Sequence, residues 1–517
     1  MTIADSSDFD VAIVGLGPVG ATAALFLAEA GLRVAVVERD RAIYPLPRAV
    51  ALDGEVVRAF QSLGRADGLC ALLQTLRPGD RAGFANSRRE WLFGQELADF
   101  GVNGWQPLYL FDQPELEAYL REALEAQAGV TLFLGETVTG FDDTGKVVRV
   151  ETSARSLSAA YLLACDGAGS PTRKALGIGW ASLGYDHDWL VVDIELRPGH
   201  TLPQDTLQVC DPDRLSTFVA AKDPYRRWEF RLNPGETAEA MLEEETLASL
   251  LDPWTPRGTY VLRRKAVYQF HAATAERWQV GRIFLLGDAA HQTPPFLGQG
   301  LNAGLRDVFN LAWKLPRVLS GAAPPTLLSS YEAERGPHAS DMVEWAVALG
   351  RLMEHLAATE AAERAGEAPP AFDESRQSAG YGQGREAPPL REGLVVQEQV
   401  SDTGSAGYLF RQPWVQKGDG SAFPLDEVLG KDFALVSLGS QALTPETQAK
   451  LARLGVASVT LDGLALARGR YDDALAAGEA VLVRPDRYVF GHTSEALSLD
   501  ALLERLSDAL GSTQSPR

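Results

Sequence analysis

Two short apolar runs in the chain each lead into a glycine-rich stretch and then into a helix-like segment. The first run, Phe9–Val14, precedes Gly15–Gly20 and an alanine-rich segment that ends near Gly31. The second, Arg282–Leu286, precedes Gly287–Asn302. After the second, apolar or small residues recur with helical spacing at Ala303, Val308, Leu311, Ala312 and Leu315. Both stretches predict a buried strand, a tight loop and a helix in series.

The first loop has the spacing G-x-G-x-x-G, at Gly15, Gly17 and Gly20, and Val34–Val37 predicts the next strand. Glu38 ends that strand 18 positions after Gly20. In a dinucleotide-binding fold the glycines make the turn, admit the pyrophosphate and let helix and strand pack, while the acidic residue accepts from ribose hydroxyls. The motif alone is weak, but in this context it favours FAD or NAD over NADP at this site.

The second loop offers helix N-terminal N–H groups to an anion or an electron-rich ring edge. Asp288 follows the strand, where its carboxylate can reach a ribityl or ribose hydroxyl. Pro294 and Pro295 stiffen the loop without adding donors, and Gly298 and Gly300 allow close approach of the backbone. The alternative is a buried strand, turn and helix without a ligand.

The middle and the end of the chain have other textures. Residues 189–270 are rich in short β-like runs with aromatic residues, which predicts either a lid over a ring-sized cavity or ordinary sheet core. Asp112 is a predicted N-cap for the helix that follows it. Beyond a linker rich in Ala, Glu, Gly and Pro, strands and helices alternate to the end, which predicts a smaller α/β unit.

Composition narrows the possible functions. The 517 residues are too many for one core and predict two or three domains. A formal net charge of −21 argues against binding nucleic acid or an anionic membrane through a basic surface. Cys70, Cys165 and Cys210 form no disulfide or metal pattern, so we expect no metal site and a cytoplasmic protein. No signal peptide and no membrane span are expected.

The motif G-D-A-A-H-x-x-P-P-x-x-G-Q-G-x-N at 287–302, together with the first glycine motif and D-G-x-x-S-x-x-R at 166–173, resembles the single-component FAD-dependent aromatic hydroxylases. The similarity is greatest to the 3-(3-hydroxyphenyl)propionate hydroxylase branch. It implies an α/β fold: a Rossmann-like FAD-binding domain (1–75, 111–180 and 276–360), an inserted β-sheet substrate domain (76–110 and 181–275), a linker (361–392) and a thioredoxin-like C-terminal domain (393–517). That last domain lacks cysteine, so we expect it to support structure or dimerisation rather than thiol chemistry.

The resemblance also assigns residues. We expect the following residues to contact FAD: Gly15, Gly17, Pro18, Val19, Gly20, Glu38, Arg39, Arg48, Gln113, Val138, Asp166, Gly287, Asp288, Pro295, Gly298, Gly300, Leu301 and Asn302. Pro295 is expected to shape the place where the flavin ring meets the substrate. His271, Tyr185 and Tyr268 are candidate bases for a phenolic substrate, although each is more often structural in a β-rich domain.

The implied chemistry is hydroxylation of a small aromatic substrate. NADH or NADPH, bound transiently, reduces non-covalent FAD, and molecular oxygen then forms a flavin hydroperoxide that attacks an electron-rich ring. A hydroxyphenylpropionate-type acid is the first expectation for the substrate. The branch often carries Met-Pro-Val-Trp where this chain has Thr293–Phe296, so a larger polyketide-like aromatic stays open, as does a non-catalytic FAD-fold binding protein. A homodimer is possible.

Overall fold

The structure, a computed structural model, describes residues 7–96, 98–371, 387–441 and 443–511. Its strands are β1 (Phe9–Val14), β2 (Val34–Glu38), β3 (Ala51–Asp53), β4 (Gln74–Thr75), β5 (Arg81–Ala85), β6 (Trp91–Glu96), β7 (Leu108–Leu110), β8 (Val130–Leu134), β9 (Val138–Asp143), β10 (Val148–Thr152), β11 (Ser156–Ala164), β12 (Trp180–Leu196), β13 (Thr206–Val209), β14 (Ser216–Ala220), β15 (Tyr225–Arg231), β16 (Tyr260–Ala275), β17 (Gln279–Val280), β18 (Ile283–Leu285), β19 (His291–Gln292), β20 (Trp414–Gln416), β21 (Ala422–Pro424), β22 (Phe433–Ser437), β23 (Val456–Thr460), β24 (Ala465–Arg468), β25 (Val481–Val483) and β26 (Val489–His492).

The helices connect and cover these strands. They are α1 (Pro18–Glu29), α2 (Gly54–Ser62), α3 (Ala66–Cys70), α4 (Gln113–Glu125), α5 (Pro171–Ala175), α6 (Ala238–Met241), α7 (Glu244–Leu251), α8 (Gly300–Ala312), α9 (Lys314–Leu319), α10 (Ser330–Ala365), α11 (Asp426–Leu429), α12 (Pro445–Leu454), α13 (Asp473–Ala476) and α14 (Leu499–Ala509). Short 3-10 turns lie at Gly287–Ala289, Pro295–Leu297, Pro325–Ser329 and Gln397–Gln399.

The N-terminal sheet has the strand order β17-β18-β11-β1-β2-β8, with β10 and β9 attached beside β11. β1 lies at its centre, parallel to β11 on one side and to β2 on the other. Val11, Ile13 and Val36 are fully buried because α1 and α8 pack over this part of the sheet. The carboxyl ends of β1, β2 and β18 therefore open at one edge, where ligands bind in open α/β sheets.

A second sheet, the long-strand sheet, has the order β19-β16-β12-β15-β14-β13-β5-β6. Its axis is the antiparallel pair β12 and β16, and β19 joins it directly to the loop that follows Asp288. One face is apolar: Leu190, Val192 and Ile194 of β12 pack with Trp228 and Phe230 of β15. The short helices α6 and α7 cover that face with Met241, Leu247 and Leu251.

The C-terminal unit contains the four-stranded sheet β23-β22-β25-β26. β22 and β23 are parallel and the other pairs are antiparallel, with α12 between the parallel strands and α14 after β26. This is the thioredoxin-like arrangement that the resemblance implies. The predicted strands and helices of this unit are thus confirmed.

Buried ion pairs attach the C-terminal unit to the rest of the chain. Glu334 of α10 accepts hydrogen bonds from Arg484 Nη2 and Lys314 Nζ, each at 2.8 Å, and Arg484 also binds Asp486. In a second cluster, Arg58 of α2 binds Asp426 with both Nε and Nη2 at 2.8 Å. Charges that are taken out of water need such partners, so these contacts fix how the C-terminal unit is placed.

Two predictions about local structure differ in part from the structure. Asp112 stands at the N-cap position of α4, but its side chain makes no capping bond. It instead binds Arg263 Nη1 of the long-strand sheet at 2.7 Å, because the guanidinium offers a stronger, charged donor. The predicted linker 361–392 begins inside α10, which continues to Ala365 and ends at Gly366 in a left-handed conformation. The remainder of that linker includes residues 372–386, which lie outside the described residues. Among the helices described, none is long and apolar enough to cross a membrane.

Candidate active site and flavin groove

The first glycine loop is shaped so that only glycine fits at two of its positions. Gly15 has a φ of +98°, and a Cβ there would lie 2.4 Å from the carbonyl oxygen of Cys165. A Cβ on Gly20 would lie 2.1 Å from the carbonyl oxygen of Gly15. A Cβ on Gly17, by contrast, would meet no atom within 4 Å, so this residue faces open space. The loop therefore combines close backbone packing below with a free groove above.

The N-terminus of α1 points its unused N–H groups towards this groove. Gly17 is the N-cap and has no side chain to cap the helix, and Pro18 occupies the first turn. Beside the loop, Glu38 accepts hydrogen bonds from Leu16 N–H at 2.7 Å and from Asp40 N–H at 2.9 Å. A fixed carboxylate at the end of β2 and an uncapped helix end suit a ribose and a diphosphate respectively.

A buried charge network holds the second loop. Asp307 of α8 accepts from Gly287 N–H at 2.9 Å and from Arg335 Nε at 2.9 Å, and it lies 2.9 Å from His291 Nε2. Burial by itself would raise the pKa of Asp307, but His291 and Arg335 lower it. The His291 ring also stacks on Trp278 at 5.4 Å. These groups therefore fix the turn that presents Asp288.

Asp288 itself has no hydrogen-bond or ion-pair partner among the described residues. Its side chain is exposed to solvent. Desolvation by the surrounding protein nevertheless raises the pKa of Asp288, and the charges of His291 and Arg48 lower it by less. A carboxylate in a groove without a protein partner is suited to accept from a ligand hydroxyl. Together with Gly17 and Glu38, it forms a groove whose donors and acceptors fit FAD.

Arg48 lies on an exposed loop that protein contacts hold at its backbone. Gln113 Oε1 accepts from the N–H groups of Arg48 and Ala49, at 3.0 and 2.8 Å, and its Nε2 donates to Glu117. The Arg48 guanidinium is exposed and lies 5.3 Å from the ring of Tyr44. Gln113 thus positions the Arg48 loop, and the direct flavin contact expected of Gln113 stays a prediction.

The other predicted cofactor residues have varied surroundings. Asp166 lies beside the start of α5 and accepts from the N-cap Ser170 Oγ at 2.6 Å and from Thr172 N–H at 2.9 Å. Asn302 is buried, and its side chain accepts from Asp53 N–H and donates to the Gly298 carbonyl oxygen. Arg39 is exposed beside Asp40, and Val138 is half-buried at the start of β9. The remaining predicted residues lie on the two loops or at the starts of α1 and α8: Pro18, Val19, Pro295, Gly298, Gly300 and Leu301.

The second face of the long-strand sheet is turned towards these loops and carries a cluster of aromatic rings. Phe296, next to Pro295, lies 5.4 Å from Trp189 and 5.8 Å from Tyr185, and Trp189 lies 6.1 Å from Phe270. Gln208 Nε2 also reaches the Phe296 carbonyl at 3.4 Å. An apolar, ring-lined space therefore adjoins the loop that carries Pro295.

The three candidate bases differ in position. Tyr185 belongs to the aromatic cluster, and burial raises the pKa of its phenol well above the ordinary value. Tyr268 is partly exposed, with its ring 4.9 Å from the Arg264 guanidinium. His271 is 42% exposed and lies 2.5 Å from Asp186. Its exposed position does not support the role of a base, and for all three residues that role stays a prediction.

Sequence reasoning missed the charged residues on this same face. Arg227 binds Asp193 at 2.7 Å and donates to the carbonyl oxygens of Arg48 and Pro47. Glu229, two residues along β15, is 4% exposed, and burial raises its pKa to about 7. The segment from Arg227 to Arg231 alternates charged and aromatic residues, which is typical of a strand with a solvated face. Here the loops of the N-terminal part cover that face.

Comparisons with known proteins agree with this geometry. The family model for the FAD binding domain matches residues 8–346, and that for the HcaD C-terminal domain matches residues 407–509. The chain is 35% identical to the 3-(3-hydroxy-phenyl)propionate/3-hydroxycinnamic acid hydroxylase 2 of Burkholderia vietnamiensis, over 93% of each chain. It is 33% identical to the "Probable NADH-specific resorcinol 4-hydroxylase" of Rhodococcus jostii, over 98% of this chain and 96% of the relative.

A solved structure shares the whole architecture. Aklavinone-11 hydroxylase in complex with FAD and aklavinone has a TM-score of 0.81 and 26% identity, covering 98% of this chain and 100% of that one. The chain belongs to the FAD-dependent aromatic hydroxylases, as its sequence motifs predicted. It is a flavoprotein monooxygenase that uses FAD, a reduced nicotinamide cofactor and molecular oxygen.

Proposed function

We propose that this protein hydroxylates a single-ring phenol next to its existing hydroxyl, with a hydroxyphenylpropionate-type acid as the first candidate substrate. The observation that carries this proposal is the 35% identity, over 93% of each chain, to a hydroxylase named for 3-(3-hydroxyphenyl)propionate and 3-hydroxycinnamic acid. The relative named for resorcinol also acts on a single-ring phenol, by its name. Both relatives are named for single-ring phenols, whereas the substituents on those rings differ.

The aromatic cluster supports a small substrate. Trp189 lies 6.1 Å from Phe270 and 5.4 Å from Phe296, so the three rings form one continuous apolar wall between the sheet and the Pro295 loop. A ring bound there would be sheltered from water by buried apolar walls. The second candidate, a polycyclic polyketide-like phenol, is favoured by the likeness to aklavinone-11 hydroxylase but requires this cluster to open.

The described residues of the groove account for binding and orientation. Bound FAD supplies the reactive oxygen once it has been reduced and has met molecular oxygen. Asp288 and Glu38 are placed to accept from its sugar-like hydroxyls, while the N-terminus of α1 faces its diphosphate. Pro295 and Phe296 border the space for the substrate and hold no titratable group, so they act through shape. The ring is thereby held at the flavin in a dry site.

The place and assembly of the protein are finer parts of the proposal. All three cysteines are free, which suits a reducing compartment and supports a cytoplasmic location. The C-terminal unit supports a homodimer only by its resemblance to the family. Mass measurement of the intact protein in solution tests the assembly, and a monomeric mass at micromolar concentration contradicts it.

The decisive experiment is a substrate screen with purified, FAD-loaded protein. We expect 3-(3-hydroxyphenyl)propionate or resorcinol to stimulate NAD(P)H oxidation and to yield a catechol-type or trihydroxy product that carries one oxygen atom from labelled O₂. Polycyclic phenols should stimulate less. Cofactor oxidation that yields only hydrogen peroxide with every single-ring phenol, together with a labelled product from a polycyclic one, would favour the second candidate.

A further inference from the structure

Glu229 stands at the centre of the sheet face that covers the aromatic site. In the strand register it pairs with Val191 of β12 on one side and with Thr217 of β14 on the other. Residues directly opposite each other in a sheet project from the same face. Glu229 therefore shares its face with Arg227 and not with Trp228 and Phe230, which enter the apolar core beneath α6 and α7.

The residues around Glu229 locate that face against the flavin loops. Arg227 donates to the Arg48 carbonyl oxygen at 2.6 Å, on the loop that carries Arg48. Beyond Thr217, Gln208 reaches the carbonyl oxygen of Phe296, and Thr217 Oγ1 donates to Gln208 Oε1 at 2.7 Å. In the register of the sheet Glu229 lies between these two attachments, on the face that the Arg48 and Pro295 loops cover.

Glu229 is a buried residue, and its carboxylate accepts no hydrogen bond from any described residue. The charged groups that face it are Arg227 on its own strand, Asp193 on β12 and Arg264 on β16, while β14 offers only Thr217. Asp193 already binds Arg227 at 2.7 Å and lies 3.6 Å from Arg264. Burial raises the pKa of Glu229 to about 7, since these arginines are largely neutralised by Asp193. Buried carboxylates without partners are costly and cluster at functional sites.

We propose that Glu229 is a catalytic residue that accepts the hydrogen bond of the substrate's phenolic hydroxyl and takes its proton as the ring is attacked. This inference rests on the proposed function and names the group that recognises the phenol. A phenol whose proton is leaving pushes more electron density to its ortho and para carbons, so proton transfer favours electrophilic attack there. Thr217 and Gln208 are hydrogen-bonded to each other, and Gln208 holds the Phe296 carbonyl group beside the expected substrate space.

The proton can be followed through the reaction. The phenolic O–H bond breaks with its electron pair left on oxygen, and a new O–H bond forms on Glu229. After the ring carbon has received the hydroxyl group, that carbon loses its own hydrogen as a proton, which restores the aromatic ring and leaves a negative charge on the phenolic oxygen. The released proton joins the second oxygen atom of O₂, which leaves as water. The proton on Glu229 then returns to the original phenolic oxygen, which restores the carboxylate. The oxygen atom and the electrons come from O₂ and NAD(P)H, as in the family's reaction.

The test compares Glu229→Gln, Glu229→Asp and the control Glu195→Gln, whose side chain is on the same sheet but exposed. With 3-(3-hydroxyphenyl)propionate and with resorcinol, we expect Glu229→Gln to lower kcat for hydroxylation by about 10²- to 10⁴-fold, the usual range for loss of a general base. The wild-type kcat/KM should rise with pH and level off above about 7, and the variant should lack that rise. Glu229→Asp should recover part of the rate.

A binding measurement keeps the inference testable without turnover. Phenol and its methyl ether, anisole, differ in that only phenol donates a hydrogen bond, and their affinities for the FAD-loaded protein are measured by calorimetry. At pH 8.5 we expect the wild type to prefer phenol by about 10- to 100-fold, as for hydrogen bonds to charged groups. The preference should shrink below pH 7 and should fall to a few-fold in Glu229→Gln. Glu195→Gln should behave as the wild type.

The outcomes separate the two proposals. If the wild type hydroxylates no phenol but prefers phenol to anisole through Glu229, the proposed function fails and the assignment of Glu229 as the phenol-binding group stands. If the wild type hydroxylates phenols while Glu229→Gln keeps its rate, its pH profile and its preference for phenol, Glu229 has no such role. Ring-fluorinated phenols, which are more acidic, should recover rate in Glu229→Gln if proton removal is what the variant lacks.

Discussion

Two buried glutamates in this protein show opposite electrostatic behaviour. Glu334, at the attachment of the C-terminal unit, is 1% exposed, and Glu229, on the sheet face over the flavin groove, is 4% exposed. Burial alone would raise the pKa of both. Arg484 and Lys314 reverse that effect at Glu334 and lower its pKa to about 2, whereas Glu229 keeps a raised pKa of about 7.

The difference lies in the partners and not in the depth of burial. Glu334 receives direct hydrogen bonds from Arg484, Lys314 and Asn310. Both neighbouring cations are therefore paired with its carboxylate. Near Glu229 the arginines are bound to Asp193 and to backbone carbonyl groups instead. A carboxylate with saturated partners holds parts of a fold together, while one left open can serve a substrate.

The largest effect on stability is expected from Glu334→Gln. The variant leaves Lys314 and Arg484 buried without their shared anion, so the free energy of unfolding should fall by about 3 to 5 kcal/mol. Urea unfolding at pH 7 measures it, with the exposed Glu344→Gln on the same helix as control. A loss no greater than that of the control would mean that the cluster does not stabilise the attachment.

Glu229→Gln should change stability in the opposite direction as pH rises. Because its folded pKa is raised, native Glu229 keeps a proton that the unfolded chain releases, so wild-type stability falls between the ordinary pKa of 4.5 and about 7. Above pH 7 Glu229 is ionised in the folded protein as well, and its burial then lowers the free energy of unfolding by about 3 kcal/mol. The variant lacks this cost, so its stability relative to the wild type should increase from pH 4.5 to pH 8.

Unfolding in urea at several pH values checks this expectation. Glu195→Gln serves again as the matched control and should show no such pH-dependent difference. A Glu229→Gln variant whose relative stability does not change between pH 4.5 and 8 would show that Glu229 ionises as freely in the folded protein as in the unfolded chain.

A double variant sharpens the interpretation of the Glu334 cluster. Lys314→Met should destabilise the wild type, but in the Glu334→Gln background it removes a cation that no longer has its anion, and Arg484 still has Asp486. We expect a coupling energy of about 1 to 3 kcal/mol from the double-mutant cycle. Additive effects would indicate that Lys314 contributes through packing and not through its charge.

The smallest effect is expected from His271→Asn. The side chain is 42% exposed and pairs with the exposed Asp186, and such surface pairs contribute about 1 kcal/mol or less. The kcat/KM for hydroxylation should change by about threefold at most, the range of an ordinary surface substitution. A loss of kcat/KM comparable with that of Glu229→Gln would indicate that His271, and not only Glu229, acts as a base.

The parts of the fold that sequence could predict are those fixed by local geometry. Gly15 and Gly20 are required because backbone atoms occupy the place of a Cβ, and such requirements leave a motif in the sequence. The strand and helix that flank Asp288, and the α/β order after Phe433, were predictable from apolar spacing in the same way. Such motifs are recognised from the spacing of neighbouring residues, even where the excluding atom is distant, as the Cys165 carbonyl oxygen is at Gly15.

Glu229 and Asp112 could not be assigned in this way because their surroundings come from distant segments. The alternation along β15 indicates a solvated face, and only the packing of the Arg48 loop against Arg227 makes that face buried. Asp112 has the residue type and position of a helix cap, but Arg263, 151 residues away, binds it. Long-range ion pairs of this kind leave no periodic signal, so the sequence did not indicate the partners of Glu229 and Asp112.

The hydrogen bonds from Arg227 to the carbonyl oxygens of Pro47 and Arg48, at 3.0 and 2.6 Å, join the covering sheet to a loop of the cofactor groove. Affinities of two ligands that share such a connection are reciprocal: if FAD strengthens phenol binding by some factor, phenol must strengthen FAD binding by the same factor. Titrating apoprotein with FAD, with and without saturating phenol, gives that factor directly. Equal FAD affinities in the two titrations would show that the loop and the sheet respond to their ligands independently.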